Sequence, residues 1–325
     1  MVTNIIGKLT DDRVMSCSRL PALMGESGFS TPSDELRKSI NSTLGIPDRS
    51  SAGEAADWGN TFEDSILVEM GARLNLGINH RIMERFEHST IPLQGSMDGI
   101  LAGDGRIFKT NPETGIYVIG AKSIRLQGQG VAEAKLTSAS PSDEPPPYRG
   151  PLQVQGLMMC SNFGWAAIGV LYRGTELRIY LYKPEPAIVA KIEADVIDFD
   201  RRVKLYHQDG VTDWYPALTK NDGALTYATG EADLPPIKLE GFANQAAISL
   251  IEAKEARKSL DKLIDASTTT IMNQMGCHTL AHVQDDGQHV ATITWGMSNP
   301  RKEYTVAARP AARAQSLRIK MLETS

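Results

Sequence analysis

The sequence predicts a mixed α/β (α+β) fold in which helices and β-strands follow one another along the chain. Between residues 82 and 136, short runs of β-branched residues alternate with glycine-rich turns, which is typical of strands. A hairpin at residues 166–182 and helices at residues 152–165 and 188–208 follow. An earlier helix begins at Glu54, because apolar residues recur there at four-residue steps: Trp58, Phe62, Ile66 and Met70.

The chain divides into three predicted regions. Residues 216–240 are rich in proline and glycine and are interpreted as a linker. They separate a core of residues 1–215 from a C-terminal extension of residues 241–325. In that extension we predict a helix at residues 242–265 and strands at residues 289–295 and 316–320.

The composition narrows the possible classes of protein. Hydrophobic residues make up 41% and charged residues 22% of the 325 residues, which favours a globular chain over a disordered one. No apolar run reaches the ~18 residues that a membrane span requires, and the first residues lack a signal-peptide pattern, so we expect a cytoplasmic protein without a membrane partner. The three cysteines form no CxxC pair, which excludes a zinc pattern and a four-thiolate iron–sulfur cluster. A net charge of −5 is unusual for a nucleic-acid-binding protein, although local basic stripes can still contact phosphates.

Acidic residues occur where a metal-dependent hydrolase needs them. Asp98 lies in the turn GSMDG, at the end of an extended segment. Glu133 and Lys135 are two residues apart in a short strand, so their side chains point to one face. Glu63 comes from the earlier helix and Gln153 begins a later one. The sequence therefore offers three carboxylates, an amine and an amide from separate elements.

This set suits phosphodiester hydrolysis with magnesium. Mg²⁺ prefers carboxylate oxygens and keeps several waters, and it can neutralise the phosphate, activate water and stabilise the leaving oxygen. We expect Asp98 and Glu133 to ligate the metal directly. The backbone carbonyl of Ala134 is a further candidate ligand, and Glu63 would hold the metal directly or through water.

The two remaining side chains would act on water and phosphate. Lys135 would orient or deprotonate the attacking water, with a pKa lowered by the nearby cations. Gln153 would position the lysine, the water or a phosphate. Taken singly, each residue also has a simpler interpretation: a turn aspartate, a solvated Glu-x-Lys face, an exposed glutamate, or a glutamine that satisfies buried backbone groups.

Five short motifs occur in a fixed order along the chain. They are SCSR with Ser18 and Arg19, WGNTFE with Glu63, GSMDG with Asp98, AEAK with Glu133 and Lys135, and LQVQ with Gln153 and Gln155. This order resembles the PD-(D/E)XK nuclease superfamily, and within it the YqaJ-like viral recombinase group, the lambda-exonuclease family. The resemblance extends into the C-terminal segment, at TITW, Arg301-Lys302 and LRIK.

The resemblance implies a restriction-endonuclease-like core, a mixed β-sheet flanked by helices, with a C-terminal helix and β extension. It implies an exonuclease that uses Mg²⁺, or Mn²⁺ in its place, to degrade one strand of linear duplex DNA from 5′ to 3′. The 3′ overhangs would serve single-strand annealing recombination. The implied partners are duplex DNA ends, a single-strand annealing protein and two further copies of the chain in a trimer. The implied location is the cytoplasm of the host cell that a phage infects. It also implies a phosphate contact for Ser18, with Arg19 and Gln155 as further phosphate-binding candidates.

The sequence departs from the family pattern at two places. Asp98 and Glu133 are 35 residues apart, so residues 107–129 are interpreted as an inserted or lengthened hairpin. Members of the family often have a tyrosine three residues before the glutamine, where this chain has Gly150, and the nearest tyrosine is Tyr148. For the arginine that binds the terminal phosphate of the DNA, the only candidates are Arg13 and Arg19. Two alternatives stay open, an endonuclease or nickase of the same chemistry and a catalytically dead DNA-binding module. The absence of a GxxxxGK[ST] motif argues against a kinase-like enzyme.

Overall fold

The computed structural model describes residues 10–46, 53–80, 82, 84–227 and 235–295. The chain divides into two compact units between Tyr227 and Ala228. This division falls within the predicted linker, but residues 220–226 form a helix that packs on the first unit. Asp222 in that helix is buried and accepts a hydrogen bond from Thr31 Oγ1 at 2.9 Å. The start of the predicted linker at residue 216 is therefore too early.

The first unit contains nine strands and six helices among its described residues. The strands are β1 (Met15–Ser16), β2 (Gly77–Asn79), β3 (Phe86–Glu87), β4 (Leu93–Gly95), β5 (Gly99–Phe108), β6 (Ile116–Val118), β7 (Ile124–Thr137), β8 (Ala166–Tyr172) and β9 (Glu176–Tyr182). The helices are α1 (Leu20–Leu23), α2 (Pro32–Thr43), α3 (Gly53–Leu74), α4 (Pro151–Ser161), α5 (Pro186–Asp209) and α6 (Lys220–Thr226).

Six of these strands form a mixed sheet in the order β2-β5-β7-β8-β9-β6. The pairs β2–β5, β5–β7 and β8–β9 are antiparallel, whereas β7–β8 and β6–β9 are parallel. A smaller sheet has the order β1-β4-β3. Strand β7 is thus an interior strand, paired on both sides.

Helices cover both faces of the large sheet. Leu67 and Met70 of α3 pack with Ala132 and Ala167 in one apolar cluster. On the other face, α4 contributes Leu152, Val154 and Leu157 to a second cluster, which also includes Val131, Ile168 and α5 residues such as Phe199. The predicted mixed sheet flanked by helices is confirmed.

The long ladder between β5 and β7 explains the wide spacing of Asp98 and Glu133. It runs from the pair Gly99–Ala132 to the pair Phe108–Ile124, with an irregularity between Asp104 and Ile107. The residues between the two strands place β6 beside β9, at an outer position of the sheet. The predicted turn at residues 103–105 is wrong, because β5 continues through it. The backbones pack closely there, since a Cβ on Gly103 would meet the Leu126 carbonyl oxygen at 2.6 Å.

Two predicted helices differ from the structure in detail. The helix predicted at residues 152–165 ends at Ser161, because Asn162 adopts a left-handed conformation with φ 57°. In α3, Ile66 and Met70 are buried as predicted, but Trp58 and Phe62 are exposed. The apolar face of α3 therefore contacts the sheet only along its C-terminal part.

The second unit contains a long helix and a β-hairpin. Helix α7 (Gly241–Met275) is longer than predicted, since no glycine or proline interrupts it before Gly276 at φ 54°. Strands β10 (Leu280–Asp285) and β11 (Gln288–Thr294) pair in antiparallel fashion. The sequence predicted β11 but not β10, and the strand predicted at residues 316–320 lies outside the described residues. Across the described chain, no helix is both long and apolar enough to cross a membrane.

Candidate active site

The site lies beside the first residue of β5, at the point where β7 extends beyond its pairing with β5. The ladder between these strands ends at the pair Gly99–Ala132, so Glu133 and Ala134 have no β5 residue opposite them. Asp98 lies directly before β5 and takes that place. Its Oδ2 accepts a hydrogen bond of 2.8 Å from the Ala134 backbone N–H. The turn and the strand that the sequence singled out therefore meet.

Glu133 is the buried centre of the site, with only 1% of its surface exposed. Its Oε1 accepts a hydrogen bond of 2.5 Å from Lys135 Nζ and one of 2.6 Å from Gln153 Nε2. Its Oε2 is buried and accepts no hydrogen bond from a donor among the described residues. The carboxyl of Asp98 can form a hydrogen bond with Glu133 only when one of the two carboxyl groups is protonated. A buried carboxylate oxygen without a donor is costly, so this atom is suited to bind an additional group.

Burial and like charges raise the pKa values of Glu133 and Glu63. Burial raises the pKa of Glu133 to about 8, with Asp98 adding to the rise through its charge and a carboxyl–carboxyl hydrogen bond, against the lowering effect of Lys135. Burial also raises the pKa of Glu63 to about 7, helped by Asp98 and Asp64 and opposed by Lys135. The charges of Asp98 and Lys135 therefore both act on the pKa of Glu63, although none of the described hydrogen bonds joins Glu63 to either residue.

The pKa of Lys135 shifts in the opposite direction to the predicted one. Burial lowers it, but the charges of Glu133 and Asp98 and the hydrogen bond to Glu133 outweigh burial and raise it. The predicted lowering requires cations that offset these carboxylates, so it concerns the metal-bound protein and remains a prediction. In the protein alone, Lys135 is the ammonium partner of Glu133.

The arrangement fits a magnesium ion in part. Within the described residues, no three side chains of the His, Cys, Asp and Glu types are grouped closely enough to hold a metal. Mg²⁺ is commonly bound by one or two carboxylates plus water, and Asp98 with Glu133 supplies such a pair. The Ala134 N–H and carbonyl point to the same side of an extended strand, so the carbonyl faces the side of Asp98. The metal set of Asp98, Glu133, Ala134 and Glu63 stays a prediction, and Glu63 is its least supported member.

Gln153 and Gln155 have different surroundings although they are two residues apart on α4. Gln153 is half-buried and donates to Glu133. Gln155 is 2% exposed, donates to the Lys183 carbonyl oxygen and accepts from the Glu185 N–H. Its amide holds the connection between β9 and α5, so the structure argues against the predicted phosphate contact for Gln155.

The candidate phosphate-binding residues near the N-terminus also differ in their burial and in their partners. Arg19 is buried and its guanidinium is fully engaged, with Glu35 Oε2 at 2.5 Å, Ser39 Oγ, and carbonyl oxygens of residues 12, 14 and 35. It is not placed to bind a phosphate. Ser18 is exposed, with its Oγ 3.2 Å from Ser16 Oγ, and its phosphate contact remains a prediction. Arg13 is exposed and paired with Asp11.

The structure adds two residues that the sequence did not single out. Thr137 lies on β7 two residues beyond Lys135, and its Oγ1 accepts a hydrogen bond of 2.5 Å from Arg149. Period-two alternation from Glu133 to Thr137 was the available signal for the threonine. Nothing in the sequence linked Arg149 to β7, because the contact closes the loop that precedes α4.

The comparison with solved structures finds exonucleases. The chain is similar to an alkaline exonuclease from Laribacter hongkongensis, with a TM-score of 0.45, 15% identity, and coverage of 61% of this chain and 91% of that one. The structure of that exonuclease in complex with dAMP gives a TM-score of 0.44 and 16% identity, over 61% and 94% of the two chains. A phage-related exonuclease from Haemophilus somnus gives 0.43 and 13%, over 61% and 96%. No family profile matches the sequence, and no curated protein matches it.

Proposed function

We propose that the protein is a metal-dependent deoxyribonuclease whose reaction takes place at Asp98, Glu133 and Lys135. One observation carries the proposal: the buried Glu133 has one oxygen fixed by Lys135 and Gln153 and a second oxygen without a donor, beside Asp98. The charge of Asp98 raises the cost of ionising Glu133, and a divalent cation removes that cost. The residues therefore fit a hard cation such as Mg²⁺ or Mn²⁺.

When bound, the cation would supply charge neutralisation at the phosphate and a lowered pKa for water. Asp98 and Glu133 would hold it, with the Ala134 carbonyl as a further donor. Glu63 would join directly or through water, since the charges of Asp98 and Lys135 act on its pKa.

The protein groups around the cation have separate tasks. Lys135 keeps Glu133 Oε1 in place, and its side chain is 28% exposed, so the remaining ammonium hydrogens can reach a water or a phosphate oxygen. Gln153 fixes the same Glu133 oxygen from α4. The two contacts together hold the carboxylate in one orientation, which is the positioning that hydrolysis requires.

The finer parts of the proposal rest on the order of the sequence motifs. They are attack on linear duplex DNA from the 5′ end, 3′ overhangs as products for single-strand annealing recombination, an annealing protein as partner, a homotrimeric assembly, and a place in the cytoplasm of a phage-infected host.

The test is Lys135→Ala with end-labelled linear duplex DNA in Mg²⁺ and in EDTA. We expect the wild type to release label only with Mg²⁺, and the variant to lose at least about a hundredfold in rate, the size of a general acid–base contribution. Lys122→Ala is the matched control, because Lys122 also follows an alanine but is exposed outside the site. Full activity of Lys135→Ala would overturn the site assignment. Inactive wild type with retained DNA binding would favour a dead binding module, and cutting of closed circular DNA would favour an endonuclease.

A further inference from the structure

Two exposed aromatic rings and one half-buried arginine form a cluster beside the end of β7. We define this rim cluster as Phe29, Tyr148 and Arg149. Arg149 reaches β7 through its hydrogen bond of 2.5 Å to Thr137 Oγ1. Thr137 follows Lys135 by two residues on the same strand face, which is roughly 7 Å along a strand. Through its contact with Thr137, Arg149 is therefore placed about one nucleotide along β7 from Lys135.

The charge of Arg149 is available to a ligand. Its guanidinium donates to two hydroxyl groups, those of Thr137 and Tyr148, and lies 5.4 Å from the Tyr148 ring centre. Both hydrogen-bond acceptors are uncharged, so within the described residues no carboxylate neutralises this cation. Arg19, by contrast, is buried against Glu35. Arg149 is thus an arginine beside the end of β7 whose charge no carboxylate of the described residues pairs with.

The two rings add flat apolar surface to this charge. Phe29 is 89% exposed and Tyr148 37% exposed, and their ring centres are 6.1 Å apart at an angle of 75°. Together the two rings offer a small aromatic surface on which a flat ligand can stack. A cation beside exposed aromatic rings is the combination that binds single-stranded nucleic acid, because the rings stack on bases and the cation contacts phosphate.

We propose that the rim cluster binds one unpaired nucleotide adjacent to the scissile phosphate. Arg149 contacts its phosphate, and Tyr148 with Phe29 stacks on its base. The base must be unpaired, because a base within a duplex stack does not present a free face to a side chain. This inference rests on the proposed nuclease function, and it makes a frayed or single-stranded end the part of the substrate that the protein recognises.

The test measures binding in EDTA, so it does not depend on cleavage. The probes are a fluorescein-labelled oligothymidylate of about ten nucleotides and an abasic oligonucleotide of the same length. Tyr148→Ala is expected to weaken binding of the oligothymidylate about tenfold and to leave the abasic probe unchanged, because only the first probe has bases to stack. Tyr148→Phe keeps the ring and is expected to bind like the wild type. Phe29→Ala should act in the same direction as Tyr148→Ala, with a smaller effect.

Arg149→Ala is expected to weaken the binding of both probes. It should also reduce the magnitude of the slope of log affinity against log salt concentration by about 0.7, the value for one phosphate contact on a single strand. Arg149→Lys should restore the slope, because it restores the charge. Arg125→Ala is the matched control: Arg125 is exposed, donates to the uncharged Gly105 carbonyl and lies at the opposite end of β7. It should change neither affinity nor slope.

Several results would overturn the proposal. These are a wild type that does not bind the oligothymidylate, equal weakening of both probes by Tyr148→Ala, or an unchanged salt slope in Arg149→Ala. Thermal melting of each variant separates loss of binding from loss of folding, and Arg149→Lys still tests the charge where Arg149→Ala fails to fold. Normal cleavage together with any of these results would remove only the rim cluster, whereas binding without cleavage would remove only the nuclease activity.

Discussion

Two buried ion pairs in this protein have the same N···O distance. They differ in whether both oxygens of the carboxylate have hydrogen-bond donors. Arg19 Nε lies 2.5 Å from Glu35 Oε2, and Lys135 Nζ lies 2.5 Å from Glu133 Oε1. In the first pair, Ser30 donates to the other Glu35 oxygen and the remaining guanidinium hydrogens have partners. In the second pair, no donor among the described residues contacts the other Glu133 oxygen.

The difference distinguishes a structural ion pair from a functional one. A buried pair with every hydrogen bond satisfied holds elements together, here the segment before α1 and helix α2. A buried pair with one oxygen unsatisfied and a second carboxylate beside it is costly to keep without a ligand. An isolated sequence motif does not reveal this difference, since both pairs consist of one acid and one base.

The largest expected effect is on the complete pair. Arg19→Ala leaves Glu35 charged and buried without its partner, so we expect the free energy of unfolding to fall by about 3 to 5 kcal/mol. Urea unfolding followed by circular dichroism measures it. Arg13→Ala is the control, because the Arg13 side chain is 60% exposed in its pair with Asp11 and such surface pairs contribute about 0 to 1 kcal/mol. A loss below about 1 kcal/mol for Arg19→Ala would contradict the structural role.

A smaller effect separates the two glutamines of α4. Gln155→Ala removes two hydrogen bonds to the backbone of Lys183 and Glu185, so the free energy of unfolding should fall by about 1 kcal/mol for each bond. Gln153→Ala should change stability less and cleavage more, because Gln153 contacts Glu133. Unfolding curves and the end-label assay on both variants measure this. Equal losses of stability and activity in the two variants would show that Gln155 is not the structural residue and Gln153 not the active-site residue of α4.

The smallest expected effect per measured step, at the scale of one pH unit, is the pH dependence of the incomplete pair. The pKa of Glu133 is about 8 in the folded protein, against an ordinary value of 4.5. The folded state therefore binds more protons than the unfolded state between these values, so this group's contribution to stability is present below about pH 4.5 and is lost as the pH rises to about 8. In EDTA, Glu133→Gln should flatten the fall of the unfolding free energy by up to about 1.4 kcal/mol per pH unit. Identical slopes for wild type and variant, from urea unfolding at several pH values, would contradict the pKa shift.

Much of the site was predictable because its residues lie in local patterns. Alternation along a strand placed Glu133 and Lys135 on one face, and the turn before β5 located Asp98. The same reasoning failed for Arg19 and Gln155. Both are polar residues in the expected motifs, yet both are buried among partners that are distant in the sequence.

The amino-acid sequence by itself determined the mixed α/β fold, the sequence of α3, α4, the β8–β9 hairpin and α5, and the set of acidic residues. Periodicity and turn chemistry act over a few neighbouring residues, so these features are local. Only the tertiary structure decided that β5 ends its pairing beside Glu133, that one Glu133 oxygen lacks a donor, and that Arg149 reaches Thr137. These features depend on contacts between segments far apart in the chain. Burial sets their chemistry, since removing a carboxylate from water decides whether a proton, an amine or a metal must accompany it.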